Sequence, residues 1–499
     1  MQYFVIFAII AAVIVNLVKS SIKHGWIFII LGFIGASIFG MLAEFGSTGE
    51  FFATIFSISS IAAGIYGMTW KLKQNKQKET VISDIPDELR SKTKHGFFFG
   101  VKDENYIIKS ENKDGHILVV GGVGSGKSSC IAIPTLQMWR SRVLAIDIKG
   151  ELYETTKNFR PNIKLFNPQD KNSYGYDPYV FIRQSKNPAQ EARAIAETII
   201  PLPHDVDNPF WIKSARNVFT GAILHYYMDL SFIDTLRQIN DLEDRELIKI
   251  ISKSNNESAR RHISGVRGLD DKTLAGVFSE FRNEILTLTE DTEVASALSR
   301  AKTINPEDLE NNRDIYIKIP EDNISKWGNL LTIIVSQFIR FFERRNEDNN
   351  TPILFMIDEF ARLGKFSDIA NGLATLRSKK ITFCIIIQSL PQLDDIYGSN
   401  VSKVISDTCS YKAVLSVSEA DSQETFSRLF GTDDKPQVSK GETFIPGLDF
   451  FAFGKSKNTS TQEKRKIKPE DFATLVRDKK LVLITPYGNF IIDKRPYYM

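Results

Sequence analysis

With 499 residues, 42% of them hydrophobic and 25% charged, the chain has the make-up of an ordinary globular protein with room for two or three domains. Its 63 Lys and Arg against 60 Asp and Glu leave a balance of +3, which excludes a bulk basic field as a means of gripping nucleic acid; any such contact must be local. Three scattered cysteines, Cys130, Cys384 and Cys409, exclude a disulfide framework or a structural zinc site and fit a reduced compartment.

Apolar residues crowd the first seventy positions in three stretches, 2–18, 26–43 and 51–70. The third holds 20 uncharged residues, which as a helix cover roughly 30 Å, the thickness of a bilayer core. A signal peptide would begin with a basic segment, and MQYFVIF has none. The expectation is a membrane anchor of two or three helices over 1–70. Lys71, Lys73, Lys76 and Lys78 follow the third stretch, whereas the loop EFGSTGE before it carries Glu44 and Glu50 and no basic residue. The lysine asymmetry puts the rest of the chain on the cytoplasmic side, and Lys19 and Lys23 agree with it.

The polar tract KLKQNKQKET begins a linker over 71–94. Beyond it an apolar HILVV, a glycine-rich turn, a helical stretch and a second apolar run RVLAID make a βαβ pattern, the start of a parallel α/β sheet. Between 181 and 303 strand signals almost vanish, and QEARAIAETII and DDKTLAGVFSEFRNEIL read as amphipathic helices. Strand patterns resume at RDIYIKI, PILFMID, ITFCIII, YKAVLSV and LVLITP. The reading is a nucleotide-binding domain in two parts, 95–180 and 304–499, interrupted by an all-helical insertion over 181–303. The polar stretch GKSKNTSTQEKRK reads as an exposed loop, and its cluster Lys464, Arg465 and Lys466 as solvated charge as readily as a nucleic-acid contact.

The glycine-rich turn satisfies GxxxxGK[ST] in full, as Gly121, Gly122, Val123, Gly124, Ser125, Gly126, Lys127 and Ser128, with Ser129 following. Backbone N–H groups of such a loop curl around phosphates, Lys127 reaches the β and γ oxygens, and the Ser128 hydroxyl ligates Mg²⁺. Its position after a strand and before a helix is the context the mechanism requires. ATP and Mg²⁺ are therefore the expected ligands. PILFMIDEF supplies the second half, with Asp358 and Glu359 at the end of a buried strand, where carboxylates face the ligand crevice. Asp358 would hold the metal shell and Glu359 would deprotonate the attacking water. Gln388 ends the next apolar run and either senses the γ-phosphate or merely caps its strand. Arg377, in NGLATLRSKK, either reaches a neighbouring subunit's nucleotide as a finger or is a solvated charge.

These segments together resemble the type IV secretion coupling ATPases, the TraG/TraD-like family. The carrying residues are HILVVGGVGSGKSS, VLAIDIKGELYETT with Asp147, Lys149, Gly150 and Glu151, then KLFNPQ, YDPY, DNPFW, IDEFARLGKF, IIIQSLPQLDDIYG and SDTCSYKAVLSVSEADSQETFSRLFG. The resemblance spans roughly 95–499. It implies a RecA-like fold, hexameric rings, Walker roles for Lys127, Ser128, Asp358 and Glu359, a sensor role for Gln388 and a trans-acting role for Arg377. It also implies a multi-pass inner-membrane protein whose helical insertion meets relaxosomes or effector proteins, with the secretion channel and DNA as further partners. Ile148 stands where many members have proline, and many members have two membrane spans. The leading expectation is an ATP-driven pump for DNA–relaxase complexes or effector proteins. An FtsK-like translocase of double-stranded DNA would be expected to add a long linker and a winged domain, patterns not seen before KRPYYM. A docking scaffold in which ATP only cements the ring would not need Glu359.

Overall fold

The computed structural model describes residues 85–90, 95–202, 208–347, 351–366, 369–443 and 454–499, with backbone alone for 325, 433–443 and 454–463. The expected membrane anchor lies outside the described residues, as does most of the linker. Among the described residues no helix is long and apolar enough to cross a membrane.

In chain order, β1 (Phe97–Lys102), β2 (Asn105–Lys109) and β3 (Ile117–Gly121) are followed by a π-helical turn (Lys127–Ala132) that runs into α1 (Ile133–Met138). Then come β4 (Arg142–Asp147), α2 (Glu151–Thr156) and β5 (Ile163–Phe166). From Tyr179 to Leu298 every described element is a helix: α3 (Tyr179–Gln184), α4 (Pro188–Ile199), α5 (Phe210–Tyr226), α6 (Phe232–Asp241), α7 (Asp244–Ser252), α8 (Glu257–His262), α9 (Asp271–Glu290) and α10 (Thr292–Leu298). After α11 (Glu307–Glu310) the sheet resumes with β6 (Asp314–Lys318), α12 (Ile324–Glu343), β7 (Ile353–Ile357), α13 (Ile369–Leu376), β8 (Ile381–Ile387), α14 (Pro391–Tyr397), α15 (Ser399–Thr408) and β9 (Tyr411–Ser416). The last elements are α16 (Ala420–Phe430), β10 (Thr432–Thr443), β11 (Gly454–Arg465), β12 (Lys480–Thr485) and β13 (Gly488–Asp493).

Eleven strands form one sheet in the order β2-β1-β13-β12-β9-β3-β8-β7-β4-β6-β5. The run from β9 to β5 is parallel, and β12, β13, β1 and β2 extend it antiparallel. The parallel strands are buried on both faces, so they read as unbroken apolar runs rather than alternating ones. Alternate side chains still part company. Leu118, Ile146, Phe355 and Ile385 join the core beneath the helices of 179–298 and α12, while Val119, Ala145, Met356 and Ile386 pack with α1 and β1 on the other face.

One expectation is corrected here. GKSKNTSTQEKRK is a strand, β11, paired antiparallel along its length with β10 from Thr432↔Arg465 to Thr443↔Gly454. This ribbon lies apart from the main sheet. With hardly an apolar side chain it gives no hydrophobic alternation, the signal by which a strand is read, and is held by its backbone ladder.

Candidate functional site

Parallel strands deliver the residues that follow them to one edge. β3, β8, β7 and β4 are successive neighbours, so the phosphate loop, Gln388, Asp358 and Asp147 line up along the carboxyl edge at the sheet's strand spacing of about 4.8 Å.

The loop after β3 is built for tight backbone curvature. Gly124 and Gly126 sit at φ 71° and 95°, the left-handed region open to glycine. A Cβ on Gly121 would come within 2.4 Å of Ser125 Oγ, and one on Gly126 within 2.8 Å of Cys130 Sγ. Gly122 N–H donates to Ser416 O on β9 at 3.0 Å, which fastens the loop to the sheet. Lys127 is buried, and its Nζ donates to Gly121 O at 2.7 Å and Gly122 O at 3.2 Å. Burial lowers its pKa, against the opposing pull of Glu359 and Asp358. Val123 stands at the tip of the loop, 88% exposed.

β7 carries Asp358 and Glu359 just beyond Ile357, both buried. Glu359 has φ 51° and ψ 42°, a left-handed conformation that costs a non-glycine residue free energy. Its N–H donates to Asp358 Oδ1 at 3.1 Å. Gln388 Nε2 donates to Glu359 Oε2 at 3.1 Å, and Lys149 Nζ lies 3.5 Å from Glu359 Oε1. One carboxylate is therefore held from two sides. The Gln388 N–H in turn donates to Gln392 Oε1 at 3.1 Å.

Two acids in this row are buried close together. Asp147 is wholly buried at the end of β4; Oδ2 accepts from the Tyr153 N–H at 2.8 Å, while Oδ1 has no hydrogen-bond partner among the described residues. Burial raises its pKa. Asp358 is pushed up to about 7, first by burial and then by the neighbouring charges of Glu359 and Asp147. Carboxylates in that state favour a cation over water. Among the described residues no group of three or more His, Cys, Asp and Glu could hold a metal ion. A divalent cation here would draw on Ser128, Asp358, phosphate oxygens and water, the sparse protein ligation typical of Mg²⁺.

The structure thus brings residues 121–129, Asp358, Glu359 and Gln388 together. It does not bring Arg377 to them. Arg377 follows α13 and lies four residues before β8, at the opposite edge of the sheet from Gln388, so about 23 Å of strand separates the two. It is exposed and lines a groove of about 670 Å³ with Asp114, Val404 and Asp407. Two site contacts eluded reading by residue chemistry. Asp147 and Lys149 entered only through the resemblance, and their approach to the acid pair follows from β4 pairing with β7.

Fold and site together define a RecA-like P-loop α/β protein. The chain belongs to the family described as Type IV secretory system conjugative DNA transfer, whose pattern matches residues 69–499, and is thereby a type IV coupling protein. It is 26% identical over 411 residues to the protein VirD4 of Agrobacterium fabrum, covering 79% of this chain and 60% of that one. It is 23% identical over 449 residues to a conjugal transfer protein TraG of Escherichia coli, covering 79% and 69%. The chain thus spans about 60% of the length of VirD4. Among solved structures, the bacterial conjugative coupling protein TrwB without its first 70 residues superposes with a TM-score of 0.64 at 17% identity, over 82% of this chain and 90% of that one. TrwB in complex with ADP and Mg²⁺ superposes with a TM-score of 0.58 at 18% identity, over 82% and 90%.

Proposed function

We propose that this protein is a membrane-anchored, hexameric ATPase of the inner membrane that couples DNA–relaxase complexes or effector proteins to a type IV secretion channel and drives their transfer by ATP hydrolysis. The observation that carries the reading is the hydrogen bond from Gln388 to Glu359 beside the buried Lys127, on adjacent strand ends. Lys127 exchanges the carbonyls of Gly121 and Gly122 for the β and γ oxygens, and the backbone of 121–129 orients the triphosphate. Ser128 and Asp358 would hold Mg²⁺, which would supply charge that neutralises the phosphates. Glu359, kept in place by Gln388 and Lys149, accepts the proton of the attacking water. Scaffolding alone would not need a carboxylate so constrained.

Arg377 cannot act on its own chain's nucleotide from the far edge of the sheet, so a finger role requires a neighbouring subunit, which accords with a ring. The apolar stretches of the first seventy residues and the lysines after them support the anchor and its orientation. The helices of 179–298 contribute none of the residues 121–129, Asp358, Glu359 or Gln388, which suits them to cargo recognition. The test is steady-state ATPase activity of the detergent-solubilised full chain, with and without single- and double-stranded DNA. Turnover that vanishes in Glu359→Gln supports the reading, and a wild-type protein that binds ATP without hydrolysing it would leave the scaffold.

A further inference from the structure

The π-helical turn leaves one of its carbonyls without an internal donor. Ser129 O would accept from the residue five positions on, and that residue is Pro134, which has no N–H. The donor comes from far along the chain: Tyr497 N–H reaches Ser129 O at 2.9 Å. Three residues earlier, Lys494 Nζ donates to Ser125 O at 3.1 Å and to Leu415 O at 2.9 Å. Between them the Arg495 guanidinium lies over the Tyr106 ring, 5.4 Å from its centroid. Segment 494–499 is therefore bonded to the phosphate loop on both sides of Gly126-Lys127-Ser128.

Held this way, the segment presents two rings to solvent. Tyr497 and Tyr498 stand with centroids 5.2 Å apart at 78°, 36% and 68% exposed. Residues 121–129 offer glycines, serines, Val123 at the tip, Lys127 and backbone N–H groups, which suit phosphate and give a base no aromatic face to stack on. A nucleotide whose outer phosphates occupy the Lys127–Ser128 cradle sends its α-phosphate and ribose past the residue after Ser128, the one to which Tyr497 is bonded. We infer that Tyr497 and Tyr498 form the platform for the base of the bound nucleotide, one ring offering a face on which it stacks and the other, nearly perpendicular, an edge beside it, an inference that rests on the phosphate-loop reading above. Stacking on an aromatic face uses the π-surface common to all bases, so the site takes purine nucleoside triphosphates with little preference between adenine and guanine.

The test compares ATP, GTP and inorganic tripolyphosphate as competitors for a fluorescent ATP analogue on the detergent-solubilised full chain. Wild type should bind both nucleotides about tenfold or more tightly than tripolyphosphate, the scale of one base–aromatic stack. Tyr497→Ala/Tyr498→Ala should lose that preference and keep its tripolyphosphate affinity, whereas Tyr497→Phe/Tyr498→Phe should retain the preference and so exclude a fault of folding. An alanine pair that still prefers nucleotides overturns the platform, as does a wild type that binds tripolyphosphate as well as ATP; in both cases the phosphate loop stands. A wild type that binds none of the three overturns the phosphate-loop reading and the platform with it.

Discussion

At the carboxyl edge of the parallel sheet Asp147 and Asp358 are buried beside one another; at the amino edge Lys109 and His116 are buried just as deeply. The second pair is accommodated. Phe383 N–H donates to His116 Nδ1 at 3.0 Å, and Nε2, which then carries the proton, donates to Leu373 O at 2.7 Å. Burial drives that ring down to about 4, so it stays neutral at physiological pH. Lys109 Nζ donates to Thr382 Oγ1 at 3.2 Å and is pushed down to about 7 by burial. The first pair remains acid against acid, with one oxygen of Asp147 unpartnered. Burial of charge alone therefore does not mark a site. What sets the carboxyl edge apart is that its buried acids crowd one another beside the phosphate loop.

The comparison breaks first at the acids. Glu359→Gln should keep ATP binding and lose hydrolysis by 10³-fold or so, the loss expected when a base is removed from a prearranged site; single-turnover phosphate release reads it, and wild-type turnover would take Glu359 out of the role. Arg377 is the one residue of the amino edge proposed to act on a nucleotide. Arg377→Ala and Lys127→Ala proteins should each be inactive alone, while co-assembled mixtures recover part of an effect worth roughly 10³-fold. No recovery from two folded variants counts against action across a boundary.

Two substitutions sharpen the contrast. Asp147→Asn should slow turnover yet raise stability by about 1 kcal/mol near pH 8, since an ill-paired buried charge is removed. His116→Ala should instead cost about 3 kcal/mol, through a cavity and two orphaned backbone groups, and leave turnover per folded molecule unchanged. Urea titration alongside rate measurement separates them, and equal behaviour of the two would erase the distinction drawn here. The smallest effect concerns Lys109, which faces Asp114, Glu111 and Lys380. From about pH 7 to the ordinary lysine range the unfolded chain binds the proton that the folded chain has released. Stability contributed at this position therefore rises with pH across that window. Lys109→Met should flatten the rise, by roughly 1–2 kcal/mol between pH 7.5 and 9, and an unchanged slope in thermal melts would assign it to other groups.

The parallel strands and the phosphate loop were legible because each is a local pattern. HILVV, RVLAID, PILFMID and ITFCIII are apolar runs of strand length, and GxxxxGK[ST] is contiguous. β1 and β2 were not read. Their two-residue turn is Asp103-Glu104, with both residues at positive φ, where Asn-Gly or Asp-Gly would have announced a hairpin. The β10–β11 ribbon lacked any apolar stripe. In the site, Asp358 and Glu359 followed from a strand ending in acids. The Lys149–Glu359 approach depends on which strands are neighbours, and the bonds of Lys494 and Tyr497 to the loop join residues more than 360 positions apart. No periodicity reports contacts of that range.

The helical stretch leaves and rejoins the sheet at a seam. Gly175 N–H donates to Lys302 O at 2.7 Å, and Ile304 N–H to Gly175 O at 2.9 Å, so the outgoing and returning chains are already paired. A Cβ on Gly175 would strike Ala297 O at 2.3 Å, which keeps this position to glycine. With its ends clasped, lengthening the stretch adds little further closure entropy, because that cost grows only with the logarithm of the loop. Outward-facing turns between Tyr176 and Ala297 can therefore change length at little cost, while the apolar faces that cover Leu118, Ile146, Phe355 and Ile385 are bound to the sheet they shield.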